Sequence, residues 1–241
     1  MAVSFAVNLS GEAEYAFSKQ IMPIYDHLQQ NSSQGTDWRS MSEDALWSEL
    51  CLCILSSGVP YEMATSARAH LRRHGLLDLN VSMTAYLEQS IAHELSNPIC
   101  LPVKKDGNLR RYRFPNVRAR CLADSARFLY HEDRCGLHSL MNCSRPEGEL
   151  RKLMVEHLGG VGFKEASHFL RNVGYSSSLA IIDTHIISFM KKANLIPEAT
   201  SGVRSRNEYV ELESILIEIS ENNGLDLSTL DMAMWLYMKG R

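Results

Sequence analysis

The chain has 241 residues, 45% of them hydrophobic and 22% charged, with a formal net charge of −3 at pH 7. That length and balance are ordinary for a soluble globule able to bury a real core, as one domain or two small lobes. No apolar run approaches the ~18–20 residues needed to span a bilayer, and Met1–Asn8 lacks the basic start and long apolar core of a signal peptide.

In chain order, a helix is predicted over Glu12–Gln30, where Tyr15, Ile21, Ile24 and Leu28 recur at helical intervals. Residues 31–37 are a polar, breaker-rich linker. Ser42, with Glu43 and Asp44 behind it, offers a start for a helix over Ala45–Ser56, which Gly58 and Pro60 end. Tyr61–His74 is the next helix, stopped at Gly75, and Val81–Leu95 another, stopped at Asn97-Pro98. Leu101–Asn108 reads as loop. Pro115 suits the first turn of a helix running to Tyr130. Further helices span Glu147–His157, Phe163–Val173 with Gly174 as its C′ residue, Thr184–Ala193 capped by Asp183, Arg206–Asn222 and Ser228–Lys239. Strand signals are confined to short apolar pieces such as Leu179–Ile182. There is no internal repeat, and the expected class is all-α.

Charge is unevenly spread. Lys104–Arg120 carries seven basic residues against Asp106, a net of +6, so the rest of the chain carries −9. One anion-binding face is the simplest consequence. The six cysteines show no C-x-x-C spacing and sit mostly in helical or apolar surroundings, as reduced thiols of an intracellular protein would. None follows Cys143, which excludes an iron–sulfur loop after Asp183. There is no H-E-x-x-H and no calcium-type acidic loop.

The densest chemistry lies in Leu158-Gly-Gly-Val-Gly-Phe-Lys164, followed nineteen positions later by Asp183 in Ile181-Ile182-Asp183-Thr184-His185. Gly160 and Gly162 let backbone N–H groups face outward at a helix start, where a phosphate can bind, or simply make a tight turn. Lys164 falls on the first turn of the following helix. A primary amine and a carboxylate beside a nucleic-acid backbone suggest Schiff-base chemistry on a sugar. Asp183 would stabilise positive charge on that sugar, and serves as a helix cap in either case. His185 touches the DNA backbone or only packs. In the basic segment, Arg113 and Arg118 would bind phosphates. Phe114 is either a wedge into the base stack or an anchor for its loop. Asn116 reads the opposite base or caps the helix.

These residues resemble the helix-hairpin-helix DNA glycosylase/AP lyase superfamily, and within it the compact archaeal and bacterial 8-oxoguanine DNA glycosylases. The likeness extends to Leu46–Ser57, which is similar to the family's early barrel helix, to Arg111–Ala119, and to Lys164–Tyr175. It covers roughly residues 45–190 and the helix around Trp235. The resemblance implies two helical lobes with the hairpin at the cleft between them. A barrel would occupy residues 40–176, and a second lobe residues 1–39 and 177–241. It implies a monomer that binds double-stranded DNA and flips a damaged purine, most simply 8-oxoguanine, out of the duplex. Lys164 attacks C1′, Asp183 assists, and β-elimination cuts the strand without metal or organic cofactor. Trp235 is placed near the damaged base. The sequence ends at Gly240-Arg241, a few residues before the family's pattern, so base recognition by C-terminal residues is expected to differ. Two other readings fit the same motifs: a glycosylase or lyase for another modified base, and a non-catalytic hairpin module, against which Lys164 and Asp183 together argue.

Overall fold

Helical periodicity in the sequence becomes a set of helices whose apolar stripes face two cores. The structure, a computed structural model, describes residues 15, 17–31, 35–80, 86–131, 136–143 and 145–240. Contacts divide the chain into two compact units, one of residues 37–173 and one formed from residues up to 36 and from 174 onward. Among the described residues are eleven α-helices and a single two-stranded sheet. None of these helices is long and apolar enough to cross a membrane.

The 37–173 unit is built on α2 (Glu43–Leu55), which buries Leu46, Trp47, Leu50, Cys51, Leu52, Cys53, Ile54 and Leu55. A helix apolar on nearly every side belongs inside a core. Ser42 begins it, accepting the Ala45 N–H at 3.2 Å. Around it run α3 (Tyr61–Arg73), α4 (Leu87–Leu95), α5 (Pro115–Tyr130), α6 (Gly136–Asn142), α7 (Glu147–His157) and α8 (Phe163–Asn172). Residues 81–85 of the helix expected over Val81–Leu95 lie outside the described residues.

Helix α6 was not expected from the sequence. Its first amides are satisfied by Glu43, whose carboxylate accepts the N–H groups of Leu137 at 2.5 Å and His138 at 3.0 Å and the Tyr130 hydroxyl at 2.8 Å. An anion at a helix start is favourable, and here it comes from almost a hundred positions away. The sheet is likewise small. Pro98–Cys100 (β1) pairs antiparallel with Arg110–Arg111 (β2), and the expected loop lies between them.

In the other unit, α1 (Met22–Gln30) follows a π-helical turn over Phe17–Ile21. Pro23 lacks an N–H and suits the first α-helical turn. Of the helix expected from Glu12, residues 12–14 and 16 lie outside the described residues. Phe17 packs edge-on against Phe189 at 5.3 Å. Helices α9 (Thr184–Lys192), α10 (Arg206–Asn222) and α11 (Leu227–Lys239) complete the unit. The strand signal at Leu179–Ile182 is corrected here: the segment is irregular and pairs with no strand among the described residues. Its amides go instead to side chains. Ala180, Ile181 and Ile182 donate to Glu213 Oε1, Asp231 Oδ2 and Tyr209 Oη at 3.0, 2.9 and 3.1 Å. The Tyr209 hydroxyl in turn donates to the Ala180 carbonyl at 2.8 Å.

Candidate active site

The Leu158–Gly162 hairpin links α7 to α8 and is seated on α5. Gly160 has φ +70°, and a Cβ there would fall 2.7 Å from Cys121 Sγ. At Gly159, which the motif reading passed over, a Cβ would fall 2.7 Å from the Cys121 carbonyl oxygen and 3.0 Å from its Cα. Neither backbone atom can yield. Ser125 Oγ donates to the Gly159 carbonyl at 3.2 Å. The first glycine therefore allows the approach, and the second makes the turn.

Gly162 is the N-cap of α8, with φ −93°, a value open to any residue. Its N–H donates to Glu165 Oε2 at 3.2 Å. That amide, expected to face a phosphate, is already engaged. The amides of Phe163 and Lys164 belong to the first turn, which has no intrahelical acceptors. A helix start of this kind favours an anion.

Lys164 stands second in α8, its side chain 24% exposed. Nζ lies 3.4 Å from Ser56 Oγ and 3.9 Å from Glu165 Oε1. The Ser56 hydroxyl gives its own proton to the Cys53 carbonyl at 2.8 Å, so the lone pairs of Oγ are what Lys164 meets. Ser56 is the C-cap of α2, so the amine sits between the positive start of its own helix and the negative end of another. One turn on, His168 has Nδ1 sealed from solvent without a partner. Burial, with the Lys164 and Arg171 charges adding, pushes its imidazole down to about 3, which leaves it neutral at pH 7. Burial also raises the Cys53 thiol well above its usual range, so Cys53 is a packing group and not a second nucleophile.

The basic segment packs against the end of α2. Tyr112 Oη donates to the Leu55 carbonyl at 2.5 Å, Arg118 to the Ser57 carbonyl at 3.0 Å and Arg113 to the Gly58 carbonyl at 3.3 Å. The three close off the last carbonyl of α2 and two carbonyls of the turn that follows it. Arg118 also borders Gly160, where a Cβ would meet its guanidinium at 3.2 Å. Arg118 thus joins the end of α2 to the hairpin. Arg113 is exposed, with its guanidinium 4.9 Å from the centre of the Phe114 ring. Phe114 is half-buried and lies against Gly58, to which a Cβ would add a 3.3 Å contact. Asn116 is exposed within the first turn of α5, whose N-cap is Phe114; it does not cap the helix.

Asp183 opens α9. Its Oδ1 accepts the N–H groups of His185 at 2.8 Å and Ile186 at 2.9 Å, and Oδ2 takes neither. The carboxylate is half-buried and held by backbone that the Ala180–Ile182 contacts already fix. The His185 ring stands edge-on to Trp235 at 6.1 Å, and Lys239 Nζ lies 4.6 Å from the centre of the Trp235 ring. Trp235 is half-buried and so lies outside the core proper. One unit thus assembles Lys164, Gly160, Arg118, Arg113 and Phe114 around the end of α2. The other assembles Asp183, His185 and Trp235. Ser56 and Glu165 were missed by sequence reading. Glu165 carried a signal, an acid three places after a helix start. Ser56 carried none.

Residues 102–225 match the family described as 8-oxoguanine DNA glycosylase. An 8-oxoguanine DNA glycosylase/AP lyase of Thermoplasma volcanium is 33% identical, over 82% of this chain and 81% of its own. One from Korarchaeum cryptofilum is 30% identical over 84% of each. Among solved structures, the Methanocaldococcus jannaschii 8-oxoguanine glycosylase/lyase bound to a 15mer DNA containing 8-oxoguanine superposes with a TM-score of 0.69 at 27% identity, covering 95% of this chain and 96% of that one. The 8-oxoguanine DNA glycosylase of Thermotoga maritima shares the fold, with a TM-score of 0.65 at 24% identity.

Proposed function

The chain belongs to the 8-oxoguanine DNA glycosylase family, and from that membership we propose that it excises 8-oxoguanine from duplex DNA and cuts the strand, with Lys164 as nucleophile and Asp183 as charge stabiliser. The observation that carries the reading is Lys164 itself. It is a partly buried amine on the first turn after the hairpin, aimed by Ser56 Oγ, in a chain whose relatives are named glycosylase/AP lyase.

The neutral amine attacks the sugar C1′. The C1′–N9 bond breaks, and its electron pair leaves with the purine, which picks up a proton. Loss of an amine proton and opening of the C1′–O4′ bond, whose electron pair leaves on O4′ and is protonated there, give the protonated imine. Removal of a C2′ proton then expels the 3′ phosphate and severs the strand. Asp183 acts while the first bond breaks: with Oδ1 held by two amides, Oδ2 can face the cationic sugar without reorganising. The Phe163 and Lys164 amides bind a backbone phosphate, and Trp235, beside His185, lines the place of the extruded base. The double-stranded DNA partner follows from the same reading.

Single-turnover assays on matched duplexes carrying 8-oxoguanine, guanine or an abasic site test it. Excision of 8-oxoguanine well above guanine, with strand scission at both lesion sites, is the expected outcome. Scission of abasic DNA alongside an untouched 8-oxoguanine duplex would keep the lyase chemistry and remove the base assignment.

A further inference from the structure

Three metal-ligating side chains outside the hairpin site converge where α3 meets α4. His70 lies in α3 and His74 caps its end, one turn on; their ring centroids are 4.4 Å apart and their planes are tilted by 36°. From α4, Glu94 Oε2 reaches within 2.7 Å of His70 Nε2 and 3.9 Å of His74 Nε2. One ligand atom from each of the three lies within 4.8 Å of the others.

A hydrogen bond between one imidazole and a carboxylate accounts for His70 and Glu94. It leaves His74 unexplained. That side chain is 46% exposed and could point into water, yet its Nε2 faces the same oxygen. Two imidazole nitrogens and one carboxylate oxygen are the donor set of a borderline divalent ion, and the exposed side leaves a fourth position for water. With metal–ligand distances of about 2.0–2.2 Å, tetrahedral donors stand about 3.4 Å apart. An ion therefore needs His70 and Glu94 to part slightly and His74 to close in, and His74 at a helix end is free to do so.

We propose that His70, His74 and Glu94 form a three-ligand site for a divalent transition-metal ion of the zinc class, clasping α3 to α4. Glu94 is brought to the two histidines only by the fold. The metal-free full-length protein should bind one equivalent of Zn(II) by calorimetry, and its unfolding midpoint should rise with Zn(II). Co(II) should give visible d–d bands without a thiolate charge-transfer band, which excludes the exposed Cys143 as the ligand. His74→Ala and Glu94→Gln should each weaken binding by more than about tenfold, while Cys143→Ser and His93→Ala leave it unchanged. His74→Ala alters a half-exposed helix end, and Glu94→Gln preserves shape, so folding can be verified in both. Binding that survives both variants, or wild-type protein that takes up no Zn(II) at millimolar concentration, overturns the site.

Discussion

The starts of α8 and α9 each present one proposed catalytic side chain, and they hold it by different means. Lys164 depends on groups far away in sequence: Ser56 at the end of α2, and α5, which its hairpin fits only because Gly159 and Gly160 have no Cβ. Asp183 holds itself, capping its own helix through Oδ1, while side chains of α10 and α11 fix the backbone before it. In the proposed roles, a nucleophile has to reach a carbon that arrives with the substrate, and a flexible side chain on a rigid turn gives reach. A charge stabiliser has only to be preorganised, and a cap gives that at once.

The largest separable effect should come from Asp183. Asp183→Asn keeps an oxygen for the His185 and Ile186 amides, so the fold should persist. Turnover should fall by roughly two orders of magnitude or more, with lesion binding retained, as for other preorganised stabilisers. Single-turnover rates beside a thermal melt separate the two effects. A variant that melts early without a distinct rate defect would make the carboxylate a structural cap.

Next come two substitutions that contrast the supports. Tyr209→Phe strips the Ile182 N–H and the Ala180 carbonyl of a partner at once, each a buried group costing about 1–3 kcal/mol when unsatisfied. Gly159→Ala forces a methyl against the Cys121 backbone, an overpacking of about 1–3 kcal/mol. Both should lower the urea midpoint. The proposal places the Tyr209 defect on glycosidic bond cleavage and the Gly159 defect on DNA binding and imine formation. If the two variants lost the same step in the same proportion, the distinction between the supports would be gone.

Which of these features could be read from the sequence follows from how far apart their parts lie. The helices with local signals were legible: α2 from Ser42, α5 from Pro115, α9 from Asp183. So was the spacing of glycines, lysine and aspartate. Helix α6 was not, because Glu43, its N-terminal anion, is remote. The segment Leu179–Ile182 looked like a strand because an apolar run says nothing about who accepts its amides. Charge alone marks Arg113 and Arg118 as phosphate ligands, and only the fold reveals the Gly58 and Ser57 carbonyls just beyond α2 that they also meet.

The smallest effect concerns pH. His168 is depressed to about 3 by burial, with Lys164 and Arg171 adding. An unfolded histidine titrates near 6.5. Its stabilising contribution is therefore complete above that value and is lost as pH falls toward 3, at no more than about 1.4 kcal/mol per pH unit. His168→Leu should flatten the fall in urea midpoint between pH 6.5 and 5, relative to wild type. Identical slopes would mean that His168 is protonated in the folded state.

Borohydride reduction during turnover, followed by peptide mapping of the protein–DNA adduct, tests the central claim most directly. An adduct on Lys164, absent in Lys164→Gln while that variant still binds lesion duplex, is the predicted result. An adduct on any other residue, or undiminished trapping by Lys164→Gln, would contradict it.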